Sequence, residues 1–122
     1  MLKFVESRRA ARLNVEMSVE LFDLSTNKPI EGSERFPVEV VNISKTGICF
    51  ATKCPIEIKS FYKACLNFPT KESMTVIVEV IRSQEGEDGE PTYGGSFVGI
   101  SEADKFKIEV FRLFEEEKRK VN

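Results

Sequence analysis

The sequence predicts an all-β fold, an antiparallel barrel, followed by a single C-terminal helix. Short runs of β-branched and aromatic residues recur along the first 100 residues and are separated by turn-forming residues, as in antiparallel barrels. Beyond residue 101 the apolar residues recur every three or four positions, which indicates a helix. A chain of 122 residues is most simply one domain and is long enough to bury a hydrophobic core.

The first predicted strand covers residues 13–21, where apolar and polar residues alternate without a break. The apolar face consists of Leu13, Val15, Met17, Val19 and Leu21, and the polar face consists of Asn14, Glu16, Ser18 and Glu20. A period of two residues is typical of a strand with one face in the core and the other in solvent. This segment is therefore predicted to be half buried.

The second predicted strand, residues 38–43, loses its alternation at Val40 and Val41, so we expect a bend or bulge there. Gly47 follows in a predicted tight turn, for which glycine supplies the positive φ that such turns often need. Four more strand-like segments cover residues 48–52, 61–68, 74–83 and 93–100. Two polar segments with Gly and Pro, residues 26–35 and 84–91, are predicted loops.

The predicted helix covers residues 101–120. Ser101 and Asp104 resemble the outer positions of a capping box, which marks a helix N-terminus. Apolar residues at i, i+4, i+7 and i+8 are expected to form a stripe that packs against the barrel, and the alternative is a docking surface for a partner. The stripe consists of Phe106, Val110, Leu113 and Phe114.

The last turns of this helix are rich in charge. Glu115 and Glu116 precede Arg119 and Lys120 by four residues, a spacing that allows ion pairs along one face of a helix. This end of the helix is therefore predicted to be solvated.

The composition excludes several kinds of catalytic site. The chain contains no histidine, so neither a Ser-His-Asp triad nor a Cys-His pair can form. The cysteines Cys49, Cys54 and Cys65 form no CxxC pair and are predicted to be buried thiols in a reducing compartment. The sequence therefore predicts no catalytic residue, no metal site and no cofactor.

The distribution of charge and hydropathy predicts a cytoplasmic protein without membrane insertion. No run of 18 apolar residues occurs, and the N-terminus is charged where a signal peptide would need an apolar core. The net charge is -2, yet the first twelve residues are basic, because four cations oppose Glu6. These cations are Lys3, Arg8, Arg9 and Arg12. Anion binding is therefore expected to be local.

Two short motifs stand about thirty residues apart. Arg8 and Arg12 form RxxxR, and residues 42–47 read [D/N]xSxxG. In this order, with a strand between them and a barrel-like remainder, they resemble the PilZ domain, a bacterial receptor for the second messenger cyclic di-GMP. Residues 93–97 resemble the late glycine-containing strand of that family.

The resemblance implies a single PilZ domain over residues 1–122. It would contain a basic arm (1–12), a six-stranded antiparallel barrel (13–100) and the C-terminal helix (101–120). It also implies that the ligand, cyclic di-GMP, is held by Arg8, Arg9 and Arg12 from the arm and by Asn42, Ser44 and Gly47 from the barrel. Either Gly94 or Gly95 corresponds to the late glycine, and both are included among the ligand-binding residues.

The residue types suit this ligand. The guanidinium fork of arginine matches the O6 and N7 edge of guanine, and its plane can stack on the base. Asn42 and Ser44 have short side chains that can bond to backbone or to a ligand, and Gly47 lets a ligand approach the backbone. Asn42 stands where the family more often has Asp, and residues 26–35 lengthen a hairpin.

The favoured interpretation is a receptor that changes its conformation or its partner surface on binding and acts through an unknown protein effector. Three alternatives stay open. The first is a degenerate PilZ-like adaptor that binds protein without nucleotide. The second is a nucleic-acid binder, which the separation of aromatic residues from the arginines disfavours, so that neither DNA nor RNA is an expected partner. The third is an enzyme that uses carboxylates or a thiol.

Overall fold

The computed structural model describes residues 17–32, 37–86 and 89–121 of the chain. Within these described residues, six strands precede one helix. The strands are β1 (Ser18–Asp23), β2 (Glu39–Ile43), β3 (Gly47–Ala51), β4 (Phe61–Asn67), β5 (Ser73–Glu85) and β6 (Pro91–Val98). The helix α1 spans Glu102–Val121.

The six strands form one closed barrel in the order β1-β2-β3-β6-β5-β4, and every neighbouring pair is antiparallel. Closure occurs where β1 pairs with β4 through six residue pairs, from Ser18 opposite Asn67 to Asp23 opposite Tyr62. The prediction of a six-stranded antiparallel barrel with a C-terminal helix is confirmed. Because β6 lies between β3 and β5, residues of all three strands can meet on one surface.

The core lies inside the barrel and follows the two-residue period of the strands. Leu66, Val78 and Val80 are almost fully buried, and the rings of Phe50 and Tyr93 stack with their centroids 5.6 Å apart. This burial removes apolar surface from water and is the main source of stability. Burial also raises the pKa of the Tyr93 hydroxyl.

The first strand has the predicted faces over the part that the structure describes. Val19 and Leu21 are buried, whereas Ser18 and Glu20 are exposed. The predicted segment 13–16 lies outside the described residues. At its other end the strand continues two residues beyond the predicted limit, to Asp23.

The irregularity predicted in β2 is present. The register with β3 shifts between Val40 and Asn42, and the neighbouring residues Val40 and Val41 are both buried. Consecutive side chains of a regular strand point to opposite faces, so two adjacent buried residues require such a bulge. The bulge sets Asn42 on the exposed side of the strand.

A second bulge, which the sequence analysis did not predict, lies in β5. The register with β6 shifts between Val80 and Arg82, so that Val80 pairs with Gly95 and Arg82 pairs with Gly94. Val80 is buried, but Ile81 and Arg82 are both exposed. This bulge therefore ends the core segment of β5 and leaves an arginine on the surface beside β6.

The N-terminus of α1 is capped as predicted. The backbone N–H of Asp104 donates to Ser101 Oγ over 3.1 Å, and the N–H of Lys105 donates to the Ser101 carbonyl over 3.0 Å. Ser101 thus satisfies one of the amide groups that a helix start leaves unpaired. The acidic residues Glu102 and Asp104 in the first turn also stabilise the helix, because their negative charges lie near the positive end of the helix dipole.

The prediction of which face of α1 packs against the barrel is wrong. Phe106, Leu113 and Phe114 are 70%, 61% and 62% exposed, whereas Ile108 is fully buried and the Phe111 ring contacts Phe68 edge to face. Each residue turns a helix by about 100°, so positions 106 and 108 lie on nearly opposite sides. The helix has two apolar faces, and the shorter one packs on the barrel.

The prediction of a fully solvated helix end is wrong for Glu115. This residue is only 6% exposed, because it lies two turns after Ile108 on the side that faces the barrel. Its Oε2 atom lies 3.5 Å from Lys118 Nζ, so the carboxylate keeps a charged partner. The side chains of Arg119 and Lys120, the predicted partners, lie outside the described part of the chain.

The cysteines are all free thiols, but only Cys54 is buried. Cys49 and Cys65 are half buried, so the prediction of buried thiols is wrong for these two. Both lie on barrel strands at positions that alternate with core residues: Cys49 follows Ile48 and precedes Phe50, and both neighbours are buried. Alternation along the strand therefore directs them away from the core.

Candidate ligand-binding site

The [D/N]xSxxG motif forms a tight turn between β2 and β3, with Lys45 and Thr46 at its tip. The N–H of Ser44 donates to the Gly47 carbonyl over 2.9 Å. Ser44 Oγ accepts the N–H of Thr46 over 3.3 Å and lies 3.1 Å from the Thr46 hydroxyl. The turn therefore holds two hydroxyl groups side by side on the surface of the barrel.

Asn42 stands at the base of the same turn. Its Oδ1 atom accepts the N–H of Ile43 over 2.9 Å, which fixes the orientation of the side chain. Its NH2 group has no hydrogen-bond partner among the described residues. Asn42 can therefore donate a hydrogen bond to a ligand. An ionised Asp, the more frequent residue at this position of the [D/N]xSxxG motif, could only accept one.

Gly47 is required for a different reason from the predicted one. The glycines of the described chain with positive φ are Gly32, Gly89 and Gly99, so Gly47 does not use a left-handed conformation. A Cβ atom at Gly47 would instead lie closer than 3.0 Å to the carbonyl oxygen of Gly95. The absence of a side chain lets β3 and β6 approach where Gly47 pairs with Ser96.

Gly94 and Gly95 have separate roles. A Cβ atom at Gly95 would lie closer than 3.0 Å to Cγ1 of the buried residue Val78. A Cβ atom at Gly94 would lie 2.7 Å from the guanidinium carbon of Arg82. Gly95 therefore allows the strands to pack, whereas Gly94 leaves the space that the Arg82 side chain occupies.

These features surround one open depression of about 220 Å³ on the outside of the barrel. Asn42, Ser44, Gly47 and Gly95 line it, so four of the predicted site residues converge. Gly94 does not line it directly and lies beneath Arg82, which does. The arm residues Arg8, Arg9 and Arg12 lie outside the described residues, and their role stays a prediction.

Sequence reasoning missed seven residues that line the depression. These are Ile43, Thr46, Ile48, Cys49, Ile81, Arg82 and Ser96. Arg82 could have been found, because it falls in the same phase as the buried residues Val76, Val78 and Val80. A charged residue at a core position of a strand indicates a bulge that turns the side chain outward.

The charges of the depression favour an anion. Arg82 lines it, and none of the described residues around it is a carboxylate. Within the described chain Arg82 makes no ion pair or hydrogen bond, so its five N–H donors are available. Hydroxyl groups of Ser44, Thr46 and Ser96 complete a surface that can donate to phosphate or base oxygens.

The family model for the PilZ domain matches residues 6–115. The match covers most of the chain, and the chain therefore belongs to the PilZ domain family, which is known as a family of cyclic di-GMP receptors. A search of curated proteins found no match. In the part of the chain that the structure describes, no helix combines the length and apolarity needed to cross a membrane.

Proposed function

We propose that this protein is a receptor that binds cyclic di-GMP in the depression between β2, β3, β5 and β6. The observation that supports this most directly is the convergence of Asn42, Ser44 and Gly47 with Arg82 in a depression without carboxylates. Cyclic di-GMP carries two phosphates and two guanines, so it needs cations, hydrogen-bond donors and an open surface. The depression supplies all three.

Recognition divides between the barrel and the arm. The hydroxyl and amide donors of the barrel bind phosphate and sugar oxygens, and Arg82 adds a guanidinium at the edge of the depression. The depression is open and polar, so a ligand lying on it would keep one face exposed. Arg8, Arg9 and Arg12 of the arm cover that face and read the guanine edge through bidentate bonds.

Binding changes the surface of the protein through the arm. The arm residues that contact the ligand become part of a new surface beside the depression, and this change is driven by local electrostatics. A protein effector that recognises the new surface then reports the concentration of the second messenger. Cyclic di-AMP should bind far less well, because adenine presents a donor where guanine presents O6.

Isothermal titration with cyclic di-GMP tests the proposal, using Ser44→Ala as the variant and Ser73→Ala as the matched control. Both serines are at least partly exposed, but Ser73 lies at the start of β5 and does not line the depression. Loss of a hydrogen bond to a charged group costs about 1.5–3 kcal/mol, so Ser44→Ala should bind roughly ten- to a hundredfold more weakly. Ser73→Ala should bind like the parent chain.

The alternative of an adaptor that binds no nucleotide predicts the opposite titration. The parent chain would then release no heat with cyclic di-GMP, although its thermal melt would show a folded protein. Equal affinity for cyclic di-GMP and cyclic di-AMP would likewise contradict readout of guanine.

A further inference from the structure

The solvent side of α1 presents large apolar side chains. Phe106, Leu113 and Phe114 are each more than 60% exposed, and Val110 between them is half buried. Soluble proteins seldom leave adjacent apolar side chains of this size in water unless the surface binds something. The ligand-binding depression is built by β2, β3, β5 and β6, so this surface is independent of the proposed function.

The spacing of these residues is that of a coiled coil. Ala103, Phe106, Val110 and Leu113 follow one another at intervals of three, four and three residues, which corresponds to heptad positions a, d, a and d. We call these four residues the outer face of α1. Two such repeats make a short seam, long enough for about three turns of helix contact.

The barrel lies on the other side of the helix. Heptad position f, which is opposite the a/d seam, is occupied by Ile108 and Glu115, and both are buried. The buried side of α1 thus faces the barrel, and Phe106 and Leu113 of the outer face point away from it, whereas Val110 borders a groove between α1 and the turn that joins β4 to β5. A second helix can approach the outer face without displacing the barrel.

In a parallel arrangement, the identity of the residues in the second repeat favours two helices over three or four. Val110 at position a and Leu113 at position d are the combination that favours two-stranded parallel coiled coils, because a β-branched residue packs well at a and leucine at d. The next a position is Glu117, so the apolar seam ends there.

The charges beside the seam point to a second copy of the same chain. In a parallel pair, position g of one helix lies near the following position e of the other, which brings Glu102 close to the partner's Lys107 and repeats this contact by symmetry. In an antiparallel pair, position g faces position g. Glu102, Glu109 and Glu116 would then oppose one another.

We propose that two copies of this chain associate through the outer faces of their α1 helices, side by side and parallel. The symmetry is that of an isologous dimer, with each copy contributing the same surface. The short seam makes the dimer dependent on protein concentration, since small interfaces give weak association. The dimer forms without cyclic di-GMP.

Sedimentation velocity on the full chain over a range of concentrations tests the association. The parent chain should shift from monomer to dimer as concentration rises. The variants Phe106→Glu and Leu113→Glu should sediment as monomers throughout, because each buries a charge in the seam. Both side chains are exposed in the single chain, so the melting temperatures should stay close to that of the parent.

The matched control is Leu24→Glu. Leu24 is 46% exposed and lies in the turn after β1, away from the helix. This variant should dimerise like the parent chain. A parent chain that stays monomeric at every concentration would overturn the proposal, as would a loss of dimer in Leu24→Glu equal to that in Leu113→Glu.

Cysteine cross-linking tests the orientation. In a parallel dimer the two copies of position 103 adjoin, so Ala103→Cys should form a disulfide-linked dimer under mild oxidation. The parent chain, which retains Cys49, Cys54 and Cys65, serves as the control for other cross-links. If Ala103→Cys dimerises in sedimentation yet cross-links no better than the parent, the parallel arrangement is refuted.

The ion pairs can be tested by exchanging charges. Lys107→Glu should weaken the dimer roughly fivefold, since each exposed pair contributes little and the symmetry provides two. Adding Glu102→Lys to Lys107→Glu restores opposite charges and should recover most of the association. A double variant that dimerises no better than Lys107→Glu alone would show that the two residues do not pair.

Discussion

The proposed ligand-binding depression and the outer face of α1 are opposite kinds of surface. The depression contains short polar side chains and Arg82 beside isoleucines, together with glycines whose missing Cβ atoms let backbones approach. The outer face consists of apolar side chains on a regular helix, and the backbone conformation of that helix does not depend on their size. Substitutions should therefore disturb fold and binding together at some positions of the depression, but only association at the outer face.

The largest effect on ligand binding should come from the arm. Arg12→Ala and Arg8→Ala each remove a guanidinium that is proposed to read base or phosphate, and a bidentate contact to guanine is worth about 1–3 kcal/mol. Titration should show binding abolished or weakened roughly tenfold or more for each variant. Arg12→Lys should rescue poorly, because lysine lacks the planar fork.

The melting temperatures provide the control for the arm. They should be nearly those of the parent, since the barrel strands that the structure describes begin at Ser18 and the core formed by the described residues is complete without the arm. Near-parent affinity for Arg12→Lys would mean that the arm acts by charge alone. It would contradict a bidentate contact between Arg12 and guanine.

The next largest effect concerns the fold of the depression itself. Gly47→Ala places a Cβ atom against the carbonyl oxygen of Gly95, and two paired strands cannot separate without loss of hydrogen bonds. We expect a loss of about 1–3 kcal/mol in the free energy of unfolding, together with weaker ligand binding. Denaturant unfolding measures the first and titration the second. Parent-like stability would show that the close approach of β3 and β6 is unimportant.

Gly94→Ala should separate binding from stability. The three atoms nearest to its new methyl group all belong to the guanidinium of Arg82, which is exposed and can move aside, so the free energy of unfolding should change by less than about 0.5 kcal/mol. Titration should nevertheless show weaker binding, because Arg82 loses its position. Combined with Arg82→Ala, the Gly94→Ala change should have no further effect on affinity.

The neighbouring Gly95→Ala supplies the contrast. Its methyl group would collide with the buried side chain of Val78, so this variant should lose stability as well as affinity. Equal stability of the two glycine variants would contradict the separate roles assigned to Gly94 and Gly95.

The smallest effect is expected from pH. The chain contains no histidine, and arginine side chains and phosphodiesters keep their charges between about pH 6 and 8, so the charged groups proposed to bind each other do not change over this range. Titrations across this range should give affinities that agree within about twofold. A steep dependence would indicate that a group with a displaced pKa takes part.

The barrel was predictable because its strands keep one face in the core. The slip at Val40 and Val41 predicted the bulge in β2, which then sets the exposed position of Asn42. A break in the alternation at Arg82 indicates the bulge in β5 in the same way. This break also identifies Arg82, one of the residues that sequence reasoning missed. A break in the alternation of a strand is thus the most informative part of the pattern about the site.

Two predictions failed because the sequence does not show which neighbour an element meets. The larger apolar stripe of α1 contains Phe106, Leu113 and Phe114. The residues that pack against the barrel are instead Ile108 and Phe111. Helical spacing reveals an apolar face but not whether it packs on the same chain. Gly47 was assigned a positive φ, whereas its role is the approach of β6, which becomes visible only once strand order is known.

The proposed binding site is tested most directly by mapping cyclic di-GMP binding through amide chemical shifts in two-dimensional NMR. If the ligand binds in the depression, the largest changes should occur at Ser44, Gly47, Arg82 and Ser96, which line it. Amides of the outer face of α1, such as those of Phe106 and Leu113, should stay unchanged at constant protein concentration. Saturable shifts that avoid the depression, or none at all with a folded protein, would contradict the assignment of the ligand to this site.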